Sequence, residues 1–550
     1  MKPSKLPETL PNVMKGPPGD TEAMLSQTFL ILKTPHKSFN FEKPNEEEKK
    51  QQELMDSFLV DNALIFDTEE DYKNRELHIE ELTKIIKFWI ISLAKKLKIS
   101  DPLLETNGVE IRTFGSYNLK VNFREAGDVD LVCIVPRFVN RNEHFFGEFV
   151  ELMKQDPNVN YIIPLPLAFV PLIKLMYKNS KFDILCAKVD FPTIPPKLDI
   201  YDDATIEKLD EKSVLSLNGL RTLSVLLKSI ENIETFRNTL RCIRRWAKSK
   251  GIYSNIFGYL GGMSWAILVA KICQLYPNYN VVQLLKRFFF IYSQWVFEKV
   301  PIKIEEIKPI SEALQEQYPW HFEEGKQWSC MMIITPSFPC MNTAYNVSPI
   351  TLRVLKRQFQ HAYRIIAEIE GKLKKWSDLF RSYYFFKDYD YFLQINLLAK
   401  NEKDFIYWQF LAEGKIRWVS KLFEDGNLMS IIDIHPFPIS FPAKNENFPF
   451  ACSYYYGFRI TKNYSEKIDW SEIAIHIHPY VEKCKYIIPP PNENCAIEFK
   501  GIEKSKIPAD VFENGVKPVY FTNTKYPIKY KKDLRRSDEY RNDAFDSFDK

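Results

Sequence analysis

Glycine is scarce in this chain, 18 in 550 residues, and no GxxxxGK[ST] run occurs, which excludes a P-loop. The nine cysteines are scattered from Cys133 to Cys495 with no CxxC pair. Structural zinc sites gather their ligands in close pairs, so none is expected, and a reducing compartment suits such cysteines best. The N-terminal stretch MKPSKLPETLPNVMKGPPGD lacks the apolar centre of a signal peptide. The greasiest run, Phe288–Phe297, contains Ser293 and Gln294 and falls well short of the about 20 residues that span a bilayer. Nor is there a large excess of one charge. At net +4, any nucleic-acid groove has to come from the local arrangement of Lys and Arg. The expectation is a soluble, intracellular protein without a membrane partner.

What is present is core-forming material. The chain is 45% apolar and 27% charged, and its aromatic content of 14% is dominated by Phe and Tyr. At roughly 100–200 residues per domain its length suggests about three domains. Residues 1–60 read as an N-terminal extension, Pro-rich and then strongly charged, with little regular structure through residue 55 and partly packed on the middle domain. Between Asp71 and Leu97, Leu77, Leu82, Ile85, Ile86, Trp89 and Leu93 recur at helical spacing. Short β-branched runs follow at Val109–Phe114, Asp130–Val135, Leu172–Tyr177 and Phe182–Val189, with Lys178-Asn179-Ser180 as a hairpin loop. Residues 61–230 are therefore expected to hold a small mixed sheet flanked by helices. Residues 231–375 read as helical, with Arg237–Gly251, Met263–Leu275, Val281–Val296 and Thr351–Leu373 as the long helices. Residues 376–530 read as strand (Tyr391–Leu398), helix (Asp404–Glu424) and strands (Leu428–Ile434, Ser453–Thr461), an order that suits an RRM-like α/β sandwich. Residues 531–550 are a charged tail. The fold class is multidomain α+β.

The chemistry concentrates in Thr113-Phe-Gly-Ser-Tyr117 and Gly127-Asp-Val-Asp-Leu131. Alternation along a strand points Asp128 and Asp130 the same way, and two adjacent carboxylates repel unless a cation lies between them. Magnesium binds through such hard oxygen donors together with phosphates. Asp183, in Lys181-Phe-Asp-Ile-Leu185, is the candidate third carboxylate for a pair of metals about 4 Å apart, an arrangement suited to in-line displacement at phosphorus. Gly115 and Ser116 offer backbone N–H groups and a hydroxyl to a phosphate. Alone, the DxD would be a solvated strand face and the Gly-Ser an ordinary turn; the three features together favour a site.

The run FGSY…GDVDLVCIVPRFVNR resembles the signature of DNA polymerase beta-like nucleotidyltransferases, and within them is similar to the eukaryotic nuclear poly(A) polymerases. The resemblance extends through Ala168-Phe-Val-Pro171, Leu217-Asn-Gly219, Trp246–Asn255, Gly261-Gly262, Ile272–Pro277, Ile334-Thr-Pro336 and Tyr345-Asn-Val-Ser348. It implies a template-independent adenylyltransferase that joins AMP from ATP to an RNA 3′ end, with two Mg²⁺ per site (Mn²⁺ as a substitute). ATP would meet Phe114, Gly115, Ser116, Asp128, Val129, Asp130, Asp183, Asn218, Arg244, Tyr253, Asn255, Gly262, Met263 and Thr335. Phe169, Val170, Lys174 and Met341 would face RNA. The partners it implies are pre-mRNA and the cleavage and polyadenylation complex, in the nucleus.

There are departures from the family pattern. Arg244 stands where the family has Lys, and the loop between Ser116 and Asp128 is one residue longer. The alternatives are a terminal uridylyl- or CCA-adding transferase, and an inactive RNA-binding scaffold. His476-Ile-His478 lacks a third metal ligand, and Lys529–Arg536 is either an import patch or a solvated tail. Asn218-Gly219, without the resemblance, reads as a plain turn.

Overall fold

The computed structural model describes residues 44–61, 66–124, 127–323, 329–425, 432–460, 483–484 and 486–512. Both histidines of the His476-Ile-His478 pair and the basic run Lys529–Arg536 lie outside the described residues.

Glu46–Asp61 (α1) is a helix, contrary to the expectation of little regular structure there. The dense charge hides its inward side: Met55 is buried, Gln51 accepts a hydrogen bond from the Trp376 indole at 3.0 Å, and Asn280 donates to the Glu48 carbonyl at 3.3 Å. The extension thus packs on the helical middle of the protein. Glu69–Lys96 (α2) begins with a capping box, Thr68 and Asp71 each bonding the other's backbone N–H, at 3.2 and 2.8 Å.

The first sheet has the order β1-β2-β5-β4-β3, built from Glu110–Phe114 (β1), Val129–Val135 (β2), Val159–Leu165 (β3), Leu172–Tyr177 (β4) and Ser180–Lys188 (β5). Only β2 and β5 run parallel, so the sheet is mixed. The β4–β5 hairpin turns on Lys178 and Asn179, both with positive φ, as a tight right-twisted hairpin demands. Alternation sorts the sheet's faces. Leu131, Cys133, Ile184 and Cys186 pack against α2 and the helical segment Arg141–Phe149. Val132, Ile134, Leu185 and Ala187 join a second core with the helices that follow.

Those helices are Glu211–Lys228 (α3), Ile233–Ser249 (α4), Gly262–Leu275 (α5), Val281–Gln294 (α6) and Pro349–Glu370 (α7). Asn218-Gly219 is not a turn but the middle of α3: the glycine makes room for the Phe114 ring, which a Cβ would meet at 2.7 Å. Ser348 of the Tyr345-Asn-Val-Ser348 run is the N-cap of α7, with Pro349 at the first turn.

The second sheet is antiparallel throughout, in the order β7-β8-β6-β9: Tyr391–Ala399 (β6), Ile432–Pro442 (β7), Phe450–Ile460 (β8) and Cys495–Glu503 (β9). The described part of β7 begins at Ile432, and the expected start at Leu428 lies outside the described residues. Glu402–Asp425 (α8) covers one face with Trp408, Ala412, Ile416, Val419 and Phe423. Phe385, Phe386, Tyr389 and Ile507 cover part of the other, clustering with Phe437 of β7 and Tyr455 of β8. An ionic tie binds this sheet to α7: Asp433 accepts from Arg357 at 2.5 Å and from Arg459 at 2.6 Å. Burial alone would raise the Asp433 carboxyl, but the two guanidinium groups prevail and hold it at about 2. No described helix is long and apolar enough to cross a membrane.

Candidate active site

Strand register brings together what the sequence separates. Phe114 lies opposite Asp130, Asp130 opposite Asp183, and Asp183 opposite Lys174, one row across β1, β2, β5 and β4. Directly opposed residues share a face of a sheet, so Asp130, Asp183 and Lys174 project from the same side. Asp128 sits just before β2, its side chain 38% exposed. The Lys174 ammonium lies 2.8 and 2.9 Å from the two Asp183 oxygens and 3.9 Å from Asp128. Burial, and then the charges of Asp183 and Asp128, push the Asp130 carboxyl well above its ordinary range. Asp183 is raised as well, by burial, although Lys174 opposes the shift.

A divalent cation fits this chemistry: three hard-oxygen donors face a single ammonium, which leaves negative charge uncompensated where it is costly. The carboxylates do not form a closed ligand set as they stand, and among the described residues no group of three His, Cys, Asp or Glu side chains does. Lys174 pairs closely with Asp183 and more loosely with Asp128.

Gly115 is the glycine this site requires. It has φ +68°, and a Cβ there would overlap the Asp130 carboxylate. Ser116, in the one-turn helix Gly115–Asn118, donates to Asn122 at 2.7 Å. The side chains of Phe114 and Val129 are buried.

A second group surrounds Phe123. Arg244, in α4, donates to the Val121 carbonyl at 2.6 Å and lies 4.7 Å from the Phe123 ring centre and 5.5 Å from that of Tyr253. Lys248, one turn further along α4, stands 3.6 Å from the Phe123 ring centre. Burial, then Arg244, push its ammonium down to about 8, and Asp128 is near enough to oppose them. Lys248 and Phe123 were missed in the sequence. The i,i+4 spacing from Arg244 gave a signal for the lysine; nothing marked the phenylalanine.

The Tyr253 hydroxyl would lie 3.1 Å from a Cβ at Gly262, the first residue of α5, with Met263 next to it. Asn255 accepts from Asn346 at 3.3 Å. Asn218 donates to the Pro339 carbonyl at 3.0 Å, while Thr335 and Met341 bond each other's backbone nearby in the chain. Phe169, 54% exposed, meets Trp320 edge-on at 6.3 Å, and Val170 packs against the main core. Thus the carboxylates and Lys174 form one cluster, and Arg244 and Tyr253 a second beside it. Asn218 is tied instead to the 335–341 loop, and Phe169 lies with Trp320. Across from the carboxylates, Phe410 of α8 lies 6.3 Å from Tyr161 and 5.6 Å from the Lys174 ammonium.

Residues 37–230 match the family profile described as the poly(A) polymerase nucleotidyltransferase domain, and residues 235–382 that of the poly(A) polymerase central domain. The chain belongs to the poly(A) polymerase family. It is 34% identical over 466 residues to nuclear poly(A) polymerase 2 of Arabidopsis thaliana, covering 84% of this chain and 57% of that one. To nuclear poly(A) polymerase 4 of the same plant it is 36% identical over 420 residues, 76% of this chain and 55% of the relative. The poly(A) polymerase of Dictyostelium discoideum is 31% identical over 467 residues, 83% and 57% of the two chains. The chain thus spans a little over half the length of these relatives. Among solved structures, the Cid1 poly(U) polymerase with Mg 3′-dATP aligns with 61% of this chain and 99% of its own. Its TM-score is 0.42 and its identity 16%, a likeness too loose to bear on the site.

Proposed function

We propose that this protein adds AMP from ATP to RNA 3′ ends without a template and releases pyrophosphate. The observation that carries the proposal is the row Asp130–Asp183 on neighbouring parallel strands, with Asp128 beside it, inside the region that matches the nucleotidyltransferase domain. The names of the relatives support work in the nucleus. Pre-mRNA would be the RNA, and a cleavage and polyadenylation complex the recruiting partner. Three domains, with boundaries near 230 and 375 and an RRM-like third domain, are part of the same reading. The strand order of the second sheet supports the third.

Asp128, Asp130 and Asp183 would hold the divalent cations, Mg²⁺ by preference. When bound, these neutralise the triphosphate and lower the pKa of the RNA 3′-hydroxyl. The chain's own groups supply position. Gly115 and Ser116 cradle phosphate oxygens, Arg244 and Lys248 take the triphosphate, and Tyr253, Gly262 and Met263 wall the base. The 3′-oxygen then attacks the α-phosphorus in line with the departing pyrophosphate. RNA would enter between the first sheet and α8, near Lys174. On the α8 surface Tyr407, Phe410, Arg417, Trp418 and Lys421 fall within one arc, the mixture of rings and cations that suits single strands.

The test is extension of a labelled RNA with each of the four nucleoside triphosphates in turn. ATP-dependent ladders are expected, abolished by EDTA and restored by Mg²⁺. Preferential use of UTP would overturn the adenylyl assignment, and no extension with any nucleotide would overturn the enzyme.

A further inference from the structure

Arg244 and Lys248 are two cations one helical turn apart on α4, and burial together with Arg244 disfavours the charge on Lys248. Partly buried cations normally rest on carboxylates. Here, among the described residues, neither is in an ion pair; the nearer of the two rings they share is Phe123, 3.6 Å from the Lys248 ammonium and 4.7 Å from the Arg244 guanidinium carbon, with the Tyr253 ring at 5.8 and 5.5 Å. That ring cannot drift. It is 5% exposed, stacks on Phe66 at 5.0 Å with 21° between the planes, and meets the Tyr253 ring edge-on at 6.1 Å. The backbone is fixed too, by the Phe66–Phe123 bridge. An aromatic face attracts a cation through its quadrupole and leaves the full positive charge in place. A carboxylate in the same position would have to be displaced by each arriving phosphate.

We propose that Phe123 is a positioning residue for the polyphosphate of the incoming nucleoside triphosphate. It holds Arg244 and Lys248 beside the catalytic carboxylates, charged and unneutralised, before the nucleotide arrives. The inference rests on the functional reading above and adds a residue to it. Free of a carboxylate, the two cations present their charge to the phosphates while Arg244 stays anchored on the Val121 carbonyl.

The experiment replaces Phe123 with mono-, di- and trifluorinated phenylalanine, a series that keeps the ring's shape while draining its quadrupole. Affinity for the α,β-methylene analogue of ATP is measured with Mg²⁺ present, and affinity for a short oligo(A) RNA alongside. The account expects the logarithm of the nucleotide Kd to climb steadily along the series, to about 10-fold at the trifluoro member, with RNA affinity unchanged. Phe123→Trp, with a stronger quadrupole, should bind the analogue within about 2-fold of the wild type or better. A purely structural ring would give a flat series, because size and packing do not change. A flat series in protein that binds the analogue overturns this inference alone. Failure of the wild-type protein to bind the analogue overturns both the inference and the proposed function.

Discussion

Lys248 offers a pH test of the nucleotide site. Burial and the neighbouring Arg244 bring its ammonium from the ordinary lysine range down to about 8. The group is therefore charged below that pH and neutral above it. If the charge is needed to receive the triphosphate, kcat/KM for ATP, which reports the free enzyme, declines as pH rises through about 8. One unit higher only about a tenth of the molecules carry the charge, so the decline approaches 10-fold per unit. Lys248→Arg carries a charge that survives beyond pH 12, and its profile should stay level to about pH 10. Lys248→Met removes one charge-assisted contact, worth about 1.5–3 kcal/mol, and should lose roughly 10- to 150-fold at pH 7. Steady-state extension of oligo(A) at constant ionic strength, from pH 6.5 to 10, measures all three. A decline above pH 8 that persists unaltered in Lys248→Arg would refute the assignment of that titration to Lys248.

Two further expectations concern geometry and stability. Gly115→Ala forces a side chain into a positive-φ position and against the Asp130 carboxylate; it should reduce AMP addition at least about 100-fold while costing only about 1–3 kcal/mol of stability by denaturant unfolding. Activity near that of the wild type would contradict the placement of Asp130. Asp433→Asn leaves the half-buried Arg357 and Arg459 without their buried counter-charge, at a cost of about 3 kcal/mol in the same assay. The sign with pH also follows. The Asp433 carboxyl is depressed to about 2 in the folded protein, so its contribution is present above about pH 4 and lost as pH falls toward 2, and the variant should lack that acid-side dependence.

Where the sequence was legible, periodicity was strong and the groups were local. The expected strand Leu172–Tyr177 matches β4 residue for residue, and the long helices α2, α4, α5, α6 and α7 fall within a few residues of expectation. The carboxylate row was also readable, because a DxD strand and a later Asp strand belong to one small sheet. What escaped depended on tertiary contact. β3 carries Pro164 and little alternation, and it is a strand because β4 is beside it. β9, with Lys500 and Gly501 inside it, was not expected for the same reason and pairs with β6. α1 was hidden by its charged residues and is secured by contacts from α6 and Trp376. Asn218-Gly219 has the composition of a turn, but the Phe114 ring packed against the glycine makes helix the fitting answer. Phe123 acts through two cations more than a hundred residues downstream, a relation no local pattern encodes.

The account depends most on Asp130 as a catalytic carboxylate, and its replacement by alanine tests that directly. Transfer of AMP to RNA in a single turnover should fall below detection. The folded protein, relieved of a carboxylate crowded by Asp183 and Asp128, should melt at the same or a higher temperature without divalent cations. Transfer by Asp130→Ala at a rate near that of the wild type would contradict the account outright.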